Sequence, residues 1–533
     1  MTAFAGTPAL VRLGLRRDRV RLPVWIAAIT ASAAYYAAAL DVAYPTIDEL
    51  RAVVTFIQGP AGTLLTGPGY GLSDPSYPSV FAAVYGLYVL LAVAFMNVLL
   101  VVRHTRGDEE SGRTELVRAG AVGALAPLAA VTVIAVAADV LLGLLVAVVL
   151  ANGFPAGGAI LFGASVTALG LAFAGVAAVI AQLTEHARAA TGMASACVGA
   201  ALVIRGAGDA LAEHGSALSW FSPFAWAQQT RVFVDDRAWP LLLCLALAVL
   251  SIATAATLQA RRDVGAGLLS SRPGRGEASA ALSGPWTLAL RLERSSLIAW
   301  TAGLTAAGVL YGALAESVQV SFADLPEDLL AILGGSSGRL LDGFLSVMAF
   351  FNATLASCYG IAAVHRLTSE EQSGRAELVL STAVSRTTWM GAAIVAALVG
   401  ALVQLFASGL GMALAVAAVL GDASRVLDIV AAHLLFLPAV AVVIAVAGLG
   451  FAVRPRWANA AWVLAGYAIF MGYFAPLFEP PRLALDLSPF EHVARMPLEE
   501  PRIAPLLGLL AVAAVVVGAG LVRFRRRDLT AST

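Results

Sequence analysis

Long apolar runs alternate with short charged segments along the whole chain. The hydrocarbon core of a bilayer is about 30 Å thick, so a helix needs about 20 apolar residues to cross it. Backbone groups left unpaired in lipid are costly, and these runs lack the alternation of every second residue that marks a membrane β-barrel. The pattern therefore predicts about twelve transmembrane helices. They are at residues 23–40, 80–102, 121–151, 156–180, 189–206, 240–258, 297–314, 344–364, 389–420, 429–453, 460–478 and 504–522.

Composition points to the same class of protein. Of the 533 residues, 59% are hydrophobic and 13% are charged, whereas a soluble domain carries roughly 25% charged residues. We therefore predict an all-α, polytopic membrane protein. The net charge is zero, which gives no indication of nucleic acid as a partner.

The chain has no lysine, since all 34 of its basic residues are arginine. A phosphate-binding loop of the Walker A type needs a lysine that reaches the β- and γ-phosphates. If ATP drives this protein, another polypeptide must bind it. Cys197, Cys244 and Cys358 lie in apolar runs without metal-ligand spacing, so no metal site is predicted.

The distribution of charge predicts the orientation, because short arginine-rich loops stay in the cytoplasm. Arginines cluster before the first predicted span, after the sixth and after the last: Arg16, Arg17, Arg19 and Arg21; Arg261 and Arg262; Arg523, Arg525, Arg526 and Arg527. Acidic residues fall in loops of the opposite side, at Asp41, Asp48, Glu49, Asp235, Asp236, Glu499 and Glu500. Both termini are therefore predicted to be cytoplasmic.

A charged decapeptide occurs twice, as DEESGRTELV at 108–117 and as EEQSGRAELV at 370–379. Each copy joins the second predicted span of a half to the third, on the predicted cytoplasmic side. Two further landmarks recur in the same order. They are Asp18-Arg19 before Trp25 with Glu293-Arg294 before Trp300, and Ser222-Pro223-Phe224 with Ser488-Pro489-Phe490. The chain is therefore predicted to contain two parallel six-helix repeats, 1–258 and 286–533, joined by a flexible cytoplasmic linker at 259–285.

The repeated motif predicts a short helix. Glu109 with Arg113, and Glu371 with Arg375, have the i, i+4 spacing of a helical ion pair. The glycines Gly112 and Gly374 interrupt the pattern, which indicates either a bend or a close approach by another backbone. A merely solvated charged turn is the alternative interpretation, but two equivalent copies suit a partner with two equivalent docking sites.

At these residues the sequence resembles the fused, twelve-helix ABC type 2 export permeases of actinobacteria, which are described as polyketide-antibiotic or tetronasin exporters. The resemblance covers essentially the whole chain. It implies a plasma-membrane permease subunit that exports hydrophobic or amphipathic small molecules and works with two copies of a separate ABC ATPase, which would hold the ATP and Mg²⁺. Each ATPase would receive one coupling helix. By the resemblance these contain Glu109, Gly112, Arg113 and Glu115, and Glu371, Gly374, Arg375 and Glu377.

The two copies of the motif differ in their continuation. The second reads AVSR and ends at Arg386, as expected for the family, whereas the first reads AVGA and ends at Ala124. The two docking sites are therefore predicted to be unequal in strength.

Three polar residues interrupt otherwise apolar spans and are candidates for the transport pathway or its gating: Asp139, Arg205 and His433. Intramembrane ionisable residues often carry function. Structural interpretations compete with that role. Arg205 is one helical turn from Asp209 and is expected to pair with it or to extend toward water, and His433 is expected to be a neutral histidine bonded within the bundle.

Other functions compete with an ATP-driven permease. A proton-driven transporter of the major facilitator type also has twelve spans, and GDEESGR at 107–113 superficially resembles its loop after the second span. The acidic character of both motifs argues against it. A membrane-embedded hydrolase lacks the H-E-x-x-H or G-x-S-x-G patterns that its chemistry would need. A passive membrane anchor for the ATPase stays open.

Overall fold

All regular secondary structure among the residues that the structure describes is helical. A computed structural model describes residues 2–57, 66–212, 214–268, 276–316, 318–319, 337–478 and 480–529. The chain divides into two compact units, Met1–Gly274 and Arg275–Thr533.

The first unit contains the α-helices α1 (Thr7–Arg17), α2 (Arg21–Ala43), α3 (Ile47–Ile57), α4 (Tyr77–Val80), α5 (Gly86–His104), α6 (Arg106–Glu110), α7 (Arg113–Arg118), α8 (Ala126–Ala151), α9 (Ala156–Leu183), α10 (Ala187–Leu211), α11 (Pro223–Gln228) and α12 (Leu241–Ala260). A π-helical turn, Phe81–Tyr85, joins α4 to α5. A 3-10 turn, Ser219–Phe221, precedes α11.

The second unit contains the α-helices α13 (Pro285–Ala313), α14 (Ser337–Gln372), α15 (Arg375–Leu380), α16 (Arg386–Leu420), α17 (Val426–Leu434), α18 (Leu437–Val453), α19 (Ala460–Phe478), α20 (Arg482–Asp486) and α21 (Ile503–Arg525). Two 3-10 turns, Pro455–Asn459 and Pro489–His492, flank α19 and α20.

Eleven helical stretches among the described residues are long and apolar enough to cross a membrane. They are Arg21–Ala43, Tyr77–Glu110, Ala126–Ala151, Ala156–Leu183, Ala187–Leu211, Leu241–Ala260, Pro285–Ala313, Arg339–Gln372, Arg386–Leu420, Val426–Val453 and Ile503–Arg525. Each overlaps a predicted span, so the prediction of an all-α, polytopic membrane protein is confirmed. The eleventh predicted span, 460–478, is a helix with the expected bounds, although it is not among these stretches.

Several helices run well beyond their apolar segments. The eighth predicted span, 344–364, lies within a 36-residue helix that continues through charged residues to Gln372. Once a helix has formed, each added residue contributes a hydrogen bond at little further cost, so polar helix formers extend it. The second charged motif therefore begins on the same helix that spans the apolar layer.

Close helix crossings hold each unit together. In the first unit α9 is the central helix, packed against α5, α8 and α12. In the second unit α13 lies along α16, and a Cβ built at Gly308 would collide with the carbonyl oxygen of Ser408. Small residues allow such approach between membrane helices, where dispersion contacts replace the hydrophobic effect as the driving force.

The predicted linker is only partly described, and its first residues are not free. Residues 259 and 260 end α12, the Arg262 side chain is 4% exposed, and the Leu268 amide donates to the Gln182 carbonyl oxygen at 3.2 Å. Polar contacts thus anchor 262–268 to the first unit, while the flexibility of the linker as a whole stays a prediction. Residues 320–336, which follow the seventh predicted span, lie outside the described residues.

Gly308→Ala is expected to lower the unfolding temperature, since the added methyl group must displace the backbone of α16, and overpacking of this kind costs about 1–3 kcal/mol. Gly303→Ala is the matched control on the same helix, because nothing lies within 4 Å of its Cβ position. Thermal unfolding in detergent measures both. Equal unfolding temperatures for the two variants would show that the crossing tolerates the methyl group.

Candidate functional site: two charged turns

A left-handed glycine forms the centre of each motif. Gly112 has φ of +72° and precedes α7, and Gly374 has φ of +74° and precedes α15. Residues other than glycine rarely adopt this backbone conformation. Nothing lies within 4 Å of a Cβ built at either glycine, so the glycines serve the bend and not the close backbone approach. We call residues 106–118 and 370–380 the charged turns.

The predicted i, i+4 ion pairs are wrong. Arg113 binds Asp108 at 3.2 Å rather than Glu109, and Arg375 binds Glu370 at 2.9 and 3.0 Å rather than Glu371. The left-handed glycine ends one helix and starts another, so the periodicity that would align i with i+4 is lost. In each charged turn, the acid five residues before the arginine pairs with it instead. The hydrogen bond from Arg375 to Glu370 raises the pKa of the guanidinium.

The second acid of each motif points into its own unit. Glu109 accepts from Arg262 at 2.6 and 2.9 Å and from Arg106 at 2.7 Å. Glu371 accepts from Arg527 at 2.5 Å. The two carboxylate side chains are 10% and 2% exposed. We call Glu109–Arg262 and Glu371–Arg527 the inner ion pairs.

The first charged turn has further anchors that the second lacks. Arg106 is fully buried and donates to the carbonyl oxygens of Ala181 and Ala266 at 3.1 and 2.9 Å. Asp108 also binds Arg17 of α1 at 2.6 Å. In the second unit Thr368 occupies the position equivalent to Arg106.

Another pair of acids ties the start of each half to the end of its second spanning helix. Asp18 contacts both Arg103 and His104, and Glu293 binds Arg366 at 2.8 Å. Sequence reasoning noted Asp18 and Glu293 as landmarks but assigned them no role. Burial alone would raise the pKa of the Asp18 carboxyl, but the hydrogen bond from His104 and the charge of Arg103 lower it below the ordinary value of 3.8.

The outward face of each charged turn carries a carboxylate and a leucine. Thr114 and Ala376 are buried against their units, whereas Glu115 and Glu377 are exposed. Leu116 is 79% exposed and Leu378 is 72% exposed. Each charged turn therefore presents one carboxylate and one apolar side chain outward, at equivalent positions of the two units.

The differing continuations of the motifs have a local cause. In the second unit Ser385 caps α16 by accepting from the Thr388 amide at 3.1 Å, and Arg386 donates to the backbone oxygen of Arg527. In the first unit the N-terminal segment lies over the equivalent position. The Gly123 amide donates to the Ala5 carbonyl oxygen at 2.9 Å, and a side chain at Gly123 would collide with the backbone of Ala3.

The carboxyl of Asp139 is fully buried on α8. Asn97 Nδ2 donates to Asp139 Oδ1 at 2.8 Å, and Thr167 donates to the Asp139 backbone oxygen at 3.0 Å. Asp139 Oδ2 and Asn97 Oδ1 have no hydrogen-bond partner. This enclosed polar pair joins α5 to α8. Its loss would leave one N–H of the Asn97 amide unpaired, because the other donates to the Val93 carbonyl oxygen at 3.0 Å.

Arg205 and His433 have the structural contacts expected of them. Arg205 pairs with Asp209 at 3.3 Å, with both side chains buried, and Ser219 donates to Asp209 at 2.7 Å. His433 Nδ1 donates to the Ile429 carbonyl oxygen at 2.9 Å and Nε2 accepts from Asn352 at 3.2 Å. One donating and one accepting nitrogen make a neutral imidazole.

An apolar cleft of about 570 Å³ opens between α8, α9 and α12 of the first unit. Leu128, Leu171 and Ala248 are among the residues that line it, with Phe4 at one end. None of the three predicted pathway residues lines this cleft. Sequence patterning could not find it, because its lining residues have the same apolar character as lipid-facing ones.

The spanning helices define a multi-pass membrane protein. A family model described as "Multidrug efflux system permease Rv1217c, C-terminal domain" matches residues 282–525. Over 535 aligned residues the chain is 37% identical to the multidrug efflux system permease protein Rv1217c of Mycobacterium tuberculosis, covering 99% of this chain and 96% of the relative. The chain therefore belongs to the family of multidrug efflux system permeases.

Asp139→Ala is expected to destabilise the first unit by about 1–3 kcal/mol, because it removes one of the two acceptors of the buried Asn97 amide. Asp139→Asn keeps an oxygen at that place and is expected to cost less. Thermal unfolding in detergent compares the two variants with the unmodified chain. If the two variants unfold at the same temperature, the oxygen that Asp139→Asn keeps beside Asn97 contributes nothing measurable to stability.

Asp18→Asn is expected to cost about 1.5–3 kcal/mol at pH 7, the range for hydrogen bonds to charged groups. Because the pKa of Asp18 is lowered in the folded protein, its carboxylate stabilises the fold above the unfolded-state pKa. That stability is lost as the pH falls through the folded-state value. Unfolding temperatures measured from pH 7 to pH 3 should therefore converge for the two proteins. The exposed Asp41→Asn is the control, and a constant gap across this range would contradict the assignment.

Proposed function

We propose that this chain is the permease subunit of an ATP-driven ABC efflux system in a bacterial plasma membrane. It would export hydrophobic or amphipathic small molecules and would work with two copies of a separate ATPase subunit. The observation that carries the proposal is the duplicated charged turn. Both copies have the same glycine conformation, the same arginine pairing and the same exposed leucine. The printed name of the M. tuberculosis relative supports an efflux role.

Each charged turn would receive one ATPase subunit on the cytoplasmic side, the side that the arginine distribution predicts for both termini. The docking contacts would come from the outward residues Glu115, Leu116, Glu377 and Leu378. Gly112 with Arg113, and Gly374 with Arg375, would shape the turn. Glu109 and Glu371 point inward, so they would support docking from behind rather than contact the ATPase.

ATP and Mg²⁺ would be held by the partner, since this chain has no lysine for a Walker A loop. Closure of the ATPase dimer would displace the charged turns and change the access of the cargo site. A ligand can shift such an equilibrium only by its differential affinity for the two states. The ATPase must therefore contact the turns differently in its open and closed forms.

The cargo would be largely apolar. The cleft between α8, α9 and α12 has an almost wholly hydrophobic lining and a volume suited to a drug-sized molecule. Sugars and ions would leave their polar groups unpaired there. The pathway roles of Asp139, Arg205 and His433 stay predictions, and their hydrogen bonds within the bundle favour structural roles.

Leu116→Asp combined with Leu378→Asp is expected to abolish retention of the ATPase when the permease is purified with its co-expressed ABC ATPase. A hot-spot side chain contributes about 2 kcal/mol or more, which corresponds to roughly 30-fold weaker binding for each site. Leu483→Asp is the matched control, since Leu483 is 82% exposed on α20, on the predicted opposite side.

Full retention by the double variant would refute docking at the charged turns. If the unmodified chain retains no ATPase under mild conditions, the proposal itself fails. Transport should then depend on a proton gradient alone, as in a secondary transporter of the major facilitator type.

A further inference from the structure

The inner ion pairs connect each charged turn to the end of a distant helix. Arg262 lies two residues beyond the end of α12, and Arg527 lies two residues beyond the end of α21. These are the last spanning helices of their units. The same kind of contact therefore occurs at the same place in the topology of both units.

Each inner ion pair is built into its surroundings. Arg262 also donates through Nε to the Gln182 side chain at 2.7 Å and through Nη1 to the Ala266 carbonyl oxygen at 3.0 Å. Arg527 lies over the rings of Phe451 and Phe524, with its guanidinium carbon 4.9 and 5.3 Å from their centres. Such cation–π contacts hold the guanidinium in place while Glu371 binds it.

A buried ion pair resists separation more strongly than an exposed one. Once water is excluded, pulling the partners apart leaves a charge without compensation in a medium of low dielectric. A flexible surface contact would let a turn move while the helix stayed still. A buried pair instead makes the two move together.

We propose that the inner ion pairs are mechanical joints that carry the displacement of each charged turn to the last spanning helix of its own unit. Glu109, Arg262, Glu371 and Arg527 are thus positioning residues. The inference rests on the proposed function, because it presumes an ATPase that moves the turns. Docking does not use Glu109 or Glu371, the inward-pointing acids of the two motifs. The proposal gives them a separate role, which is to transmit the movement.

The test uses Arg262→Gln with Arg527→Gln, and Arg261→Gln with Arg526→Gln as the matched control. The control arginines are the immediate neighbours of the joint residues and are exposed. Hydrogen exchange of the permease without its ATPase is measured first. Backbone amides of both charged turns should exchange faster in Arg262→Gln with Arg527→Gln than in the unmodified chain, and at the unmodified rate in the control. Equal exchange rates in the two variants would overturn the assignment.

The second measurement uses the permease–ATPase complex. Spin labels are placed at Leu414→Cys on α16 and Leu507→Cys on α21, near the ends of these helices remote from the charged turn, after Cys197, Cys244 and Cys358 have been replaced by alanine. The distance between the labels is compared with and without bound ATP. The distance between the labels should change on ATP binding in the otherwise unmodified complex. In Arg527→Gln this change should disappear, while the ATPase is still retained.

The conservative variant Arg527→Lys keeps a positive charge beside Glu371 and the two rings, so it is expected to retain the ATP-dependent change; its loss there as in Arg527→Gln would contradict the role of the ion pair. A change that persists in Arg527→Gln would overturn the proposal, as would its absence in the unmodified complex. If no complex forms at all, the proposed function fails, and transmission fails with it. The exchange measurement then still decides whether the inner ion pairs hold the turns.

Discussion

One left-handed glycine in each charged turn decides where the acidic side chains before it can go. In the helix that precedes Gly112 or Gly374, consecutive side chains point about 100° apart. The first acid therefore reaches the arginine just beyond the glycine, and the second points into the bundle. An L-residue in this conformation costs roughly 1–2 kcal/mol. The bend, the ion pair between the first acid and the arginine, and the inner ion pair thus all depend on a single backbone conformation.

The two charged turns share the left-handed glycine and the two acid–arginine ion pairs, and they differ in the residues around them. The first has a buried arginine, Arg106, and a contact to α1 through Asp108, while the second has neither. After the first turn, Gly123 leaves room for the N-terminal segment, and after the second, Ser385 caps a helix. The two charged turns therefore differ in what lies behind them, and unequal docking at the two stays a prediction. The exposed leucines themselves are alike.

The sequence predicted the spans and the duplicated motif because both are local signals: apolar length and a repeated string. The partners of the motif acids were not predictable by local rules. Glu109 and Arg262 are 153 positions apart, and Glu371 and Arg527 are 156 apart. The helical i, i+4 rule assumes a continuous helix, which Gly112 and Gly374 prevent. These near-equal separations of an acid and an arginine in the two halves were nevertheless a signal that could have suggested the pairs.

The deep polar contacts do not follow the duplication. In the first unit the amide of Asn97 meets the carboxyl of Asp139, and in the second the amide of Asn352 meets the imidazole of His433. A carboxyl and an imidazole differ in the charge they can carry and in how they hydrogen-bond. A dimer of identical six-helix subunits would be restricted to one kind of interior. Fusion of two halves in one chain removes that restriction, so equivalent charged turns can occur together with interiors that differ in chemistry.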